Sequence, residues 1–445
     1  MISRVLRPAL FLALLFACNS GSSTGDNSGE SSPTNPGPNQ PGRNGEAGNN
    51  EGASSSGGGT ASSGGNGSSS GGTGSSSSGG NQQPEFEPGP PHIQYIGRFD
   101  TTDTAGPRCA YAGCRIVARF DGAPKISVKL QEEYYSWMEG APSEWDVSID
   151  GKITQKLVMS ATETDFVIAE NLAAGPHVVE LYKRSEPQTG TTQFKGFTFT
   201  GGTMLSPPTR KQRRIEIVGD SSSTGFGVEG VGMTNPADGT CPGVNHAAKY
   251  QNFRKAYGPV LGEAVGAEVY GSSLSGKGIY QNIWSEDKET LPMLFVRTLP
   301  MEEQGTWDFK TWQPDVVIVM AGGNDFAIGK PVDLGPASPA NFTQAYRDFT
   351  AKLRSEYPKA HLVLTVSPTT DDDEPAGSNT RTNIKNGAQT VATERNAAGD
   401  AKVYFFEPVK ALKSEMTGCY GHGSPEYHAR VAKELETFIK PKLGW

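Results

Sequence analysis

Residues 215–225 read Ile-Glu-Ile-Val-Gly-Asp-Ser-Ser-Ser-Thr-Gly, a short apolar segment followed by a turn that begins at a glycine. The β-branched residues of the segment predict a buried strand. The turn places Ser221 just beyond the end of that strand, where backbone N–H groups have no partner within a sheet. A serine at such a position is a candidate nucleophile, although a serine-rich turn without function has the same appearance.

Strands and helices alternate from residue 209 to residue 445. Further buried strands are predicted at 267–270, 316–320, 362–366 and 403–406, and helices at 250–265, 342–357, 383–396 and 425–439. Such alternation predicts an α/β domain with a parallel sheet covered by helices on both faces. Ligands of these sheets bind at the carboxyl ends of the strands. The loops that follow the strands are therefore the places to search for a functional site.

The preceding part of the chain, residues 84–208, has a different pattern. Short runs rich in β-branched and aromatic residues occur at 92–96, 115–120, 126–130, 146–149, 177–181 and 194–199, separated by glycine-rich breaks. No convincing helix lies between them. This pattern predicts a β-sandwich domain.

The first 83 residues carry the signals of export. Two arginines precede an apolar run over residues 9–17, which is typical of a secretory signal. The run ends at Cys18 in a sequence that resembles a bacterial lipobox, and ordinary signal cleavage beside a chance cysteine is the alternative. Residues 19–83 are dominated by glycine and serine and predict a disordered tether. We therefore expect a secreted protein that is lipid-anchored through Cys18 to a bacterial membrane and faces the periplasm or the cell surface.

Charge and cysteine content restrict the partners and the compartment. The 445 residues include 40 Lys and Arg against 48 Asp and Glu, a net charge of −8 that argues against a nucleic-acid partner. Apart from Cys18 there are four cysteines, which is consistent with two disulfides in an oxidising compartment. Cys109 and Cys114 flank a short turn and predict a local bridge, which leaves Cys241 to pair with Cys419. Four buried free thiols are the alternative.

Three later loops carry groups suited to ester chemistry. Gly276 follows the strand at 267–270 and allows the backbone to approach a substrate oxygen. Asn324 follows the strand at 316–320, and its amide can donate to a developing oxyanion. His422 precedes the last helix, and imidazole is the base suited to activating a serine hydroxyl at neutral pH. Each of these loops, taken alone, is equally typical of an ordinary turn.

Together these loops resemble the four blocks of the SGNH (GDSL) hydrolase superfamily. The matching residues occur in the family's order: Gly219-Asp220-Ser221, Gly276, Gly322-Gly323-Asn324-Asp325, and His422 six residues before His428. Residues 215–227, 275–282 and 307–326, with the Gly-Cys before His422, resemble carbohydrate esterase family two in particular. That resemblance implies a flavodoxin-like parallel sheet preceded by a small jelly-roll β-sandwich. It also implies the removal of acetyl groups from plant polysaccharides such as xylan or glucomannan.

The resemblance assigns a role to each of these residues. Ser221 is the implied nucleophile and His422 the implied base, and the reaction passes through an acetyl-enzyme. The main-chain amides of Ser221 and Gly276 and the side chain of Asn324 form the implied oxyanion hole. We expect no cofactor, no metal and a monomeric protein whose substrate is an acetylated polysaccharide or oligosaccharide.

One position departs from the superfamily pattern. Most SGNH proteins have an acidic residue three positions before the catalytic histidine, where this chain has Cys419. Because such an acid orients and supports the histidine, its loss need not abolish catalysis. We therefore predict a Ser–His dyad with His422 held by a backbone carbonyl. Glu415 and Glu426 are the nearest carboxylates in sequence that could replace the acid.

Several alternatives stay open at this point. Cys419, His422 and His428 have a spacing that zinc ligands also show. A lipase or thioesterase of the same superfamily, or a non-catalytic glycan-binding lipoprotein, would preserve most of the motifs. Aromatic residues in the loops favour sugar stacking over an acyl channel, and the candidates are Tyr280, Trp284 and Trp307. The β-sandwich can be a carbohydrate-binding module or a wall of the cleft.

Overall fold

The computed structural model describes residues 86–87, 89–135, 141–244, 247–284, 286–327, 335–374 and 376–445. Cys18, the apolar run before it and the glycine- and serine-rich tether lie outside these residues. Within the described part of the chain, every helix is too short or too polar to cross a lipid bilayer.

The predicted β-sandwich is confirmed, and it consists of ten antiparallel strands in two sheets. One sheet has the order β1-β3-β8-β5-β6 with β10 beside β3, and the other has the order β2-β9-β4-β7. The strands are β1 Gln94–Ile96, β2 Arg108–Cys109, β3 Arg115–Asp121, β4 Lys125–Glu133, β5 Glu144–Ile149, β6 Lys152–Val158, β7 Thr164–Ala169, β8 Pro176–Lys183, β9 Thr191–Thr200 and β10 Thr203–Leu205. In β4, Ile126, Val128 and Leu130 are buried and alternate with more exposed residues, the period expected of a strand with one face on a core.

Strands β2, β6, β7 and β10 were not predicted from the sequence. Most residues of β6 are exposed, and only Leu157 is buried. A strand at the edge of a sheet needs few apolar side chains, so it leaves no apolar alternation to detect.

The second domain has the predicted parallel sheet. Its strands are β11 Arg213–Gly219, β12 Ala267–Ser273, β13 Val316–Met320, β14 His361–Thr365 and β15 Val403–Phe406. Their order is β12-β11-β13-β14-β15, and all neighbours are parallel. Numbered within the domain this is the order 2-1-3-4-5 of flavodoxin-like sheets. The strand order reverses beside β11. Ligands of such sheets bind at this point, so the residues that follow β11 are candidates for the functional site.

Helices cover both faces of this sheet. The helices are α1 Ser221–Thr224, α2 Tyr257–Val265, α3 Leu291–Leu294, α4 Pro339–Glu356, α5 Thr380–Ala397 and α6 Pro425–Leu443. Residues of α4 and α5 share one apolar core with the sheet, and residues of α2 and α6 share the other. The predicted helix at 250–265 is shorter than expected, since α2 begins at Tyr257 after two 3-10 turns, which lie at 248–250 and 253–255.

A buried ion pair joins the sandwich to the parallel sheet. The Arg98 side chain is 1% exposed, and its Nη2 donates to Oε1 of Glu216 on β11 at 2.8 Å. The same guanidinium donates to the carbonyls of Phe295 and Arg297. The sandwich therefore completes the interior of the α/β domain at this point.

Candidate active site

Ser221 is the first residue of the short helix α1, directly after β11. The carboxylate of Asp220 caps this helix by accepting a hydrogen bond from the Ser222 amide at 3.0 Å. Burial raises the pKa of Asp220 to about 7. The cap fixes the turn at the carboxyl end of the strand. Ser221 therefore lies just beyond the end of β11, as the sequence predicted.

His422 lies against Ser221. Its Nε2 is 2.8 Å from Ser221 Oγ, and its Nδ1 is 2.9 Å from the backbone oxygen of Cys419. A carbonyl oxygen can only accept, so Nδ1 carries the proton and Nε2 is free to accept one from the serine. The ring of Phe226 packs on the imidazole at a centroid distance of 4.6 Å. This arrangement is the one that a serine nucleophile and a histidine base require, with the imidazole oriented by a backbone carbonyl.

The loop that carries His422 is held from several sides. Tyr420 has a positive φ of 58°, and its amide donates to the Gly239 carbonyl at 2.6 Å. The Cys419 amide donates to the Gly227 carbonyl at 3.1 Å. Because the Cys419 carbonyl and the Tyr420 amide belong to one planar unit, the contact with Gly239 also directs the carbonyl toward His422.

A disulfide between Cys241 and Cys419 ties this loop to the segment after the nucleophile. Its sulfur atoms lie against Gly230, where a Cβ would collide with both. The predicted bridge between Cys109 and Cys114 is absent, because both are buried free thiols. The Cys114 thiol donates to the Arg98 carbonyl, with Sγ and O 3.7 Å apart.

Neither nearby carboxylate replaces the missing acid. Glu415 forms a two-point ion pair with Arg430, with N–O distances of 2.6 and 2.9 Å, and this guanidinium lowers the pKa of Glu415. Glu426 is exposed at the start of α6. The two ring nitrogens of His422 are instead engaged by Ser221 Oγ and the Cys419 carbonyl.

Glu415→Gln is expected to change kcat for ester hydrolysis by less than about tenfold, because this carboxylate does not stabilise the imidazolium. Steady-state kinetics on an acetyl ester, with circular dichroism to verify folding, measure the effect. A thousandfold loss in a folded variant would identify Glu415 as the third member of a triad.

The pH dependence of kcat/KM is expected to follow His422. Burial lowers the pKa of His422 below its usual 6.5, and the hydrogen bond to Cys419 opposes this only in part. Since the neutral imidazole is the base, activity should be full above the lowered pKa and disappear as the pH falls through it. A pH profile of kcat/KM should thus have its midpoint below 6.5.

Asp220→Asn is the control for that profile, because Asn retains the helix cap and removes the other titrating group beside Ser221. The midpoint should stay where it is in the variant. A midpoint that moves with this substitution, or one above 6.5 in the unmodified chain, would contradict the assignment to His422.

Gly276 lies on the loop after β12, the strand that neighbours β11. The Leu274 amide donates to the Gly219 carbonyl at 3.0 Å, which joins the two loops. Gly276 has a φ of +78°, and a Cβ there would collide with the Trp284 ring. Its amide donates to no residue that the structure describes. An unused donor at this place is suited to a developing oxyanion.

Asn324 contributes from the third loop. Its Nδ2 donates to the Lys277 carbonyl at 2.8 Å, which places the amide beside Gly276. The following residue, Asp325, is fully buried and accepts the amides of residues 279–281 at 2.6 to 3.0 Å. Asp325 thus fixes the loop that follows Gly276. The sequence resemblance included Asp325 in its third block without a role for it.

The metal interpretation is not supported. The Cys419 sulfur is used in the disulfide, and His428 is buried with Nδ1 accepting from the Tyr257 amide at 3.2 Å. Burial lowers the pKa of His428 to about 3. Across the described ranges, no group of three or more His, Cys, Asp or Glu side chains is arranged to hold a metal.

Two of the three predicted aromatic residues lie on the loop that carries Gly276. Trp284 packs on Gly276, and Tyr280 follows on the same loop with 42% of its surface exposed. Trp307 does not join them, and its assignment to sugar binding is corrected. Its ring packs against the core that α4 and α5 share with the sheet and against a small apolar cluster that joins the two domains, with the Arg98 guanidinium 5.5 Å from the ring centroid.

Known protein families match both the β-sandwich and the α/β domain. A family profile for "Carbohydrate esterase 2 N-terminal" matches residues 95–208, and one for "GDSL-like Lipase/Acylhydrolase" matches residues 215–435. The chain is 30% identical over 358 residues to Cellulase/esterase CelE of Acetivibrio thermocellus, covering 80% of this chain and 40% of that protein. It is 25% identical over 363 residues to an acetylxylan esterase / glucomannan deacetylase of Cellvibrio japonicus, covering 80% of this chain and 90% of that protein.

A solved structure supports the relation. The family two carbohydrate esterase from Clostridium thermocellum in complex with cellohexaose superposes with a TM-score of 0.70 at 28% identity, covering 80% of this chain and 100% of that chain. The sheet order, the Ser–His pair at its carboxyl edge and the two profiles define an SGNH hydrolase preceded by a β domain. The chain belongs to carbohydrate esterase family two.

Proposed function

We propose that this chain is a carbohydrate O-acetyl esterase that removes acetyl groups from plant polysaccharides such as xylan and glucomannan. The observation that carries the proposal is the 2.8 Å contact between Ser221 Oγ and His422 Nε2, with Nδ1 bound to the Cys419 carbonyl. The acetylxylan esterase / glucomannan deacetylase among the relatives supports the choice of substrate. The chain matches only 40% of the length of Cellulase/esterase CelE, so the combined activity in that protein's name is not assigned to this chain.

Acylation begins at the serine hydroxyl. Ser221 Oγ attacks the acetyl carbonyl carbon while His422 Nε2 takes the hydroxyl proton. The carbonyl electron pair moves to its oxygen and gives a tetrahedral oxyanion. As this collapses, the bond from the acetyl carbon to the sugar oxygen breaks, and the imidazolium returns its proton to that oxygen. The sugar leaves with a free hydroxyl, and Ser221 carries the acetyl group.

Deacylation repeats the sequence with water. His422 takes a proton from water as the water oxygen attacks the acetyl carbon. The bond from Ser221 Oγ to the acetyl carbon then breaks, the imidazolium returns its proton to Oγ, and acetic acid leaves and ionises to acetate in solution. In both halves the oxyanion is stabilised by the amides of Ser221 and Gly276 and by the side chain of Asn324. Tyr280 and Trp284 offer ring faces beside this centre on which the sugar can stack.

Export accords with this activity, since the substrate lies outside the cell. The Cys241–Cys419 disulfide is typical of an oxidising compartment. We propose that Cys18 is the lipidation site that anchors the enzyme to the membrane.

The decisive experiment measures acetate released by the full chain from acetylated xylan and glucomannan. A parallel series of 4-nitrophenyl esters of increasing acyl length tests the acyl site, with Ser221→Ala as the blank. We expect acetate from the glycans and a preference for the acetyl ester. A preference for long acyl chains would favour a lipase or thioesterase, and no ester turnover would favour a binding protein.

A further inference from the structure

A loop of the sandwich reaches the candidate oxyanion hole. Residues 185–190, which connect β8 to β9, are all buried. Gln188 Nε2 donates to the Ser275 carbonyl at 2.7 Å, and a Glu186 carboxylate oxygen accepts from the Ser275 amide at 2.7 Å. Two side chains of the first domain thus hold both backbone groups of the residue before Gly276.

The carbonyl that Gln188 binds belongs to the same peptide unit as the Gly276 amide. In a planar trans peptide, the C=O of one residue and the N–H of the next point in opposite directions. Fixing the Ser275 oxygen therefore also fixes the direction of the Gly276 N–H. A hydrogen bond accepted by the oxygen further polarises the N–H, because linked hydrogen bonds strengthen one another.

Hydrogen bonds hold the sandwich loop from both domains. The Lys183 ammonium is fully buried and donates to the Ser185 carbonyl and to Ser143 Oγ, both at 3.1 Å. The Glu186 amide donates to Gln251 Oε1 at 2.9 Å, which ties the loop to the second domain. Burial raises the pKa of the Glu186 carboxyl to about 7. Gln188 is thus presented from a loop that is fixed on both sides.

We propose that Gln188 is a positioning residue for the oxyanion hole and acts through the Ser275–Gly276 peptide. The inference rests on the oxyanion role of Gly276 in the proposed function. It assigns the β-sandwich a share in the chemical step, whether or not this domain also binds sugar.

Gln188→Met tests the proposal, because Met retains the length and bulk of the side chain and removes its donor. We expect kcat for 4-nitrophenyl acetate to fall by about 10- to 100-fold, less than the cost of deleting an oxyanion donor. KM should stay within about twofold. Inhibition by phenylboronic acid, which forms a tetrahedral adduct with an active-site serine, should weaken in parallel with kcat.

The matched control is Gln193→Met, which removes a similar side-chain hydrogen bond to the Gly106 carbonyl elsewhere in the sandwich and should leave kcat unchanged. Gln188→Glu is the second variant if the Met variant does not fold. It places a carboxylate against the Ser275 oxygen at neutral pH, and kcat should fall further.

A kcat within about twofold of the unmodified chain in a folded Gln188 variant, or a fall in kcat with unchanged boronic acid inhibition, would overturn the proposal. An unmodified chain that turns over no acetyl ester would instead refute the proposed function.

Discussion

Replacement of Ser221 by alanine is expected to lower kcat for acetyl-ester hydrolysis by about 10⁴- to 10⁶-fold, since the nucleophile and its base act as a unit. The fold should be unaffected, because the Asp220 cap and its bond to the Ser222 amide are retained. Acetate release and the far-ultraviolet circular dichroism spectrum measure the two effects.

The neighbouring hydroxyl provides the control. Ser222→Ala removes an acceptor of the Ser367 hydroxyl, with the two oxygens 3.3 Å apart, and should leave kcat close to that of the unmodified chain. The variant that combines Ser221→Ala with His422→Ala should be no slower than Ser221→Ala alone. Substantial activity in Ser221→Ala, or losses that multiply in the double variant, would show that the two residues do not form the catalytic pair.

Arg98→Leu should lower the free energy of unfolding by about 3–5 kcal/mol, because it leaves the Glu216 carboxylate buried without its partner. Glu216 is fully buried, and it also accepts a hydrogen bond from the Ser272 hydroxyl at 2.5 Å. Urea-induced unfolding of the full chain measures the change, which should appear as a lower midpoint at an unchanged slope.

A double-mutant cycle separates the pair from simple loss of packing. Glu216→Leu combined with Arg98→Leu should be less destabilised than the sum of the single variants, because no charge is left uncompensated. Lys125→Met, which breaks an exposed ion pair with Glu170, should cost less than about 1 kcal/mol. A similarly small effect of Arg98→Leu would mean that water reaches Glu216 and that the domains are joined mainly by apolar contacts.

The elements that the sequence predicted correctly are those with strong local patterns. The strand β13 is five apolar residues long and entirely buried, and α4, α5 and α6 were each found within a few residues of their ends. Ser221 and His422 could be singled out because they follow or precede such elements at the sheet edge where ligands bind.

Other parts of the site left no local signal. The group that orients His422 is a main-chain carbonyl, and the residue letter at that position says nothing about where its carbonyl points. Gln188 lies 87 residues from Ser275, in a different domain, and a single glutamine has no pattern. Trp307 was misassigned because an aromatic residue in a loop has the same appearance whether it faces a sugar or an apolar core.

Because the main-chain carbonyl of Cys419 orients His422, the side chain at position 419 is not needed for that purpose. When a carboxylate orients a histidine, the side chain is committed to that task and few substitutions are compatible with it. Here the task belongs to the main chain, which every amino acid possesses, and the side chain is left for another purpose. Cys419 uses it for a covalent cross-link. One residue thus combines the orientation of the base with the attachment of its loop, and divergence at this position can alter the cross-link without altering the chemistry.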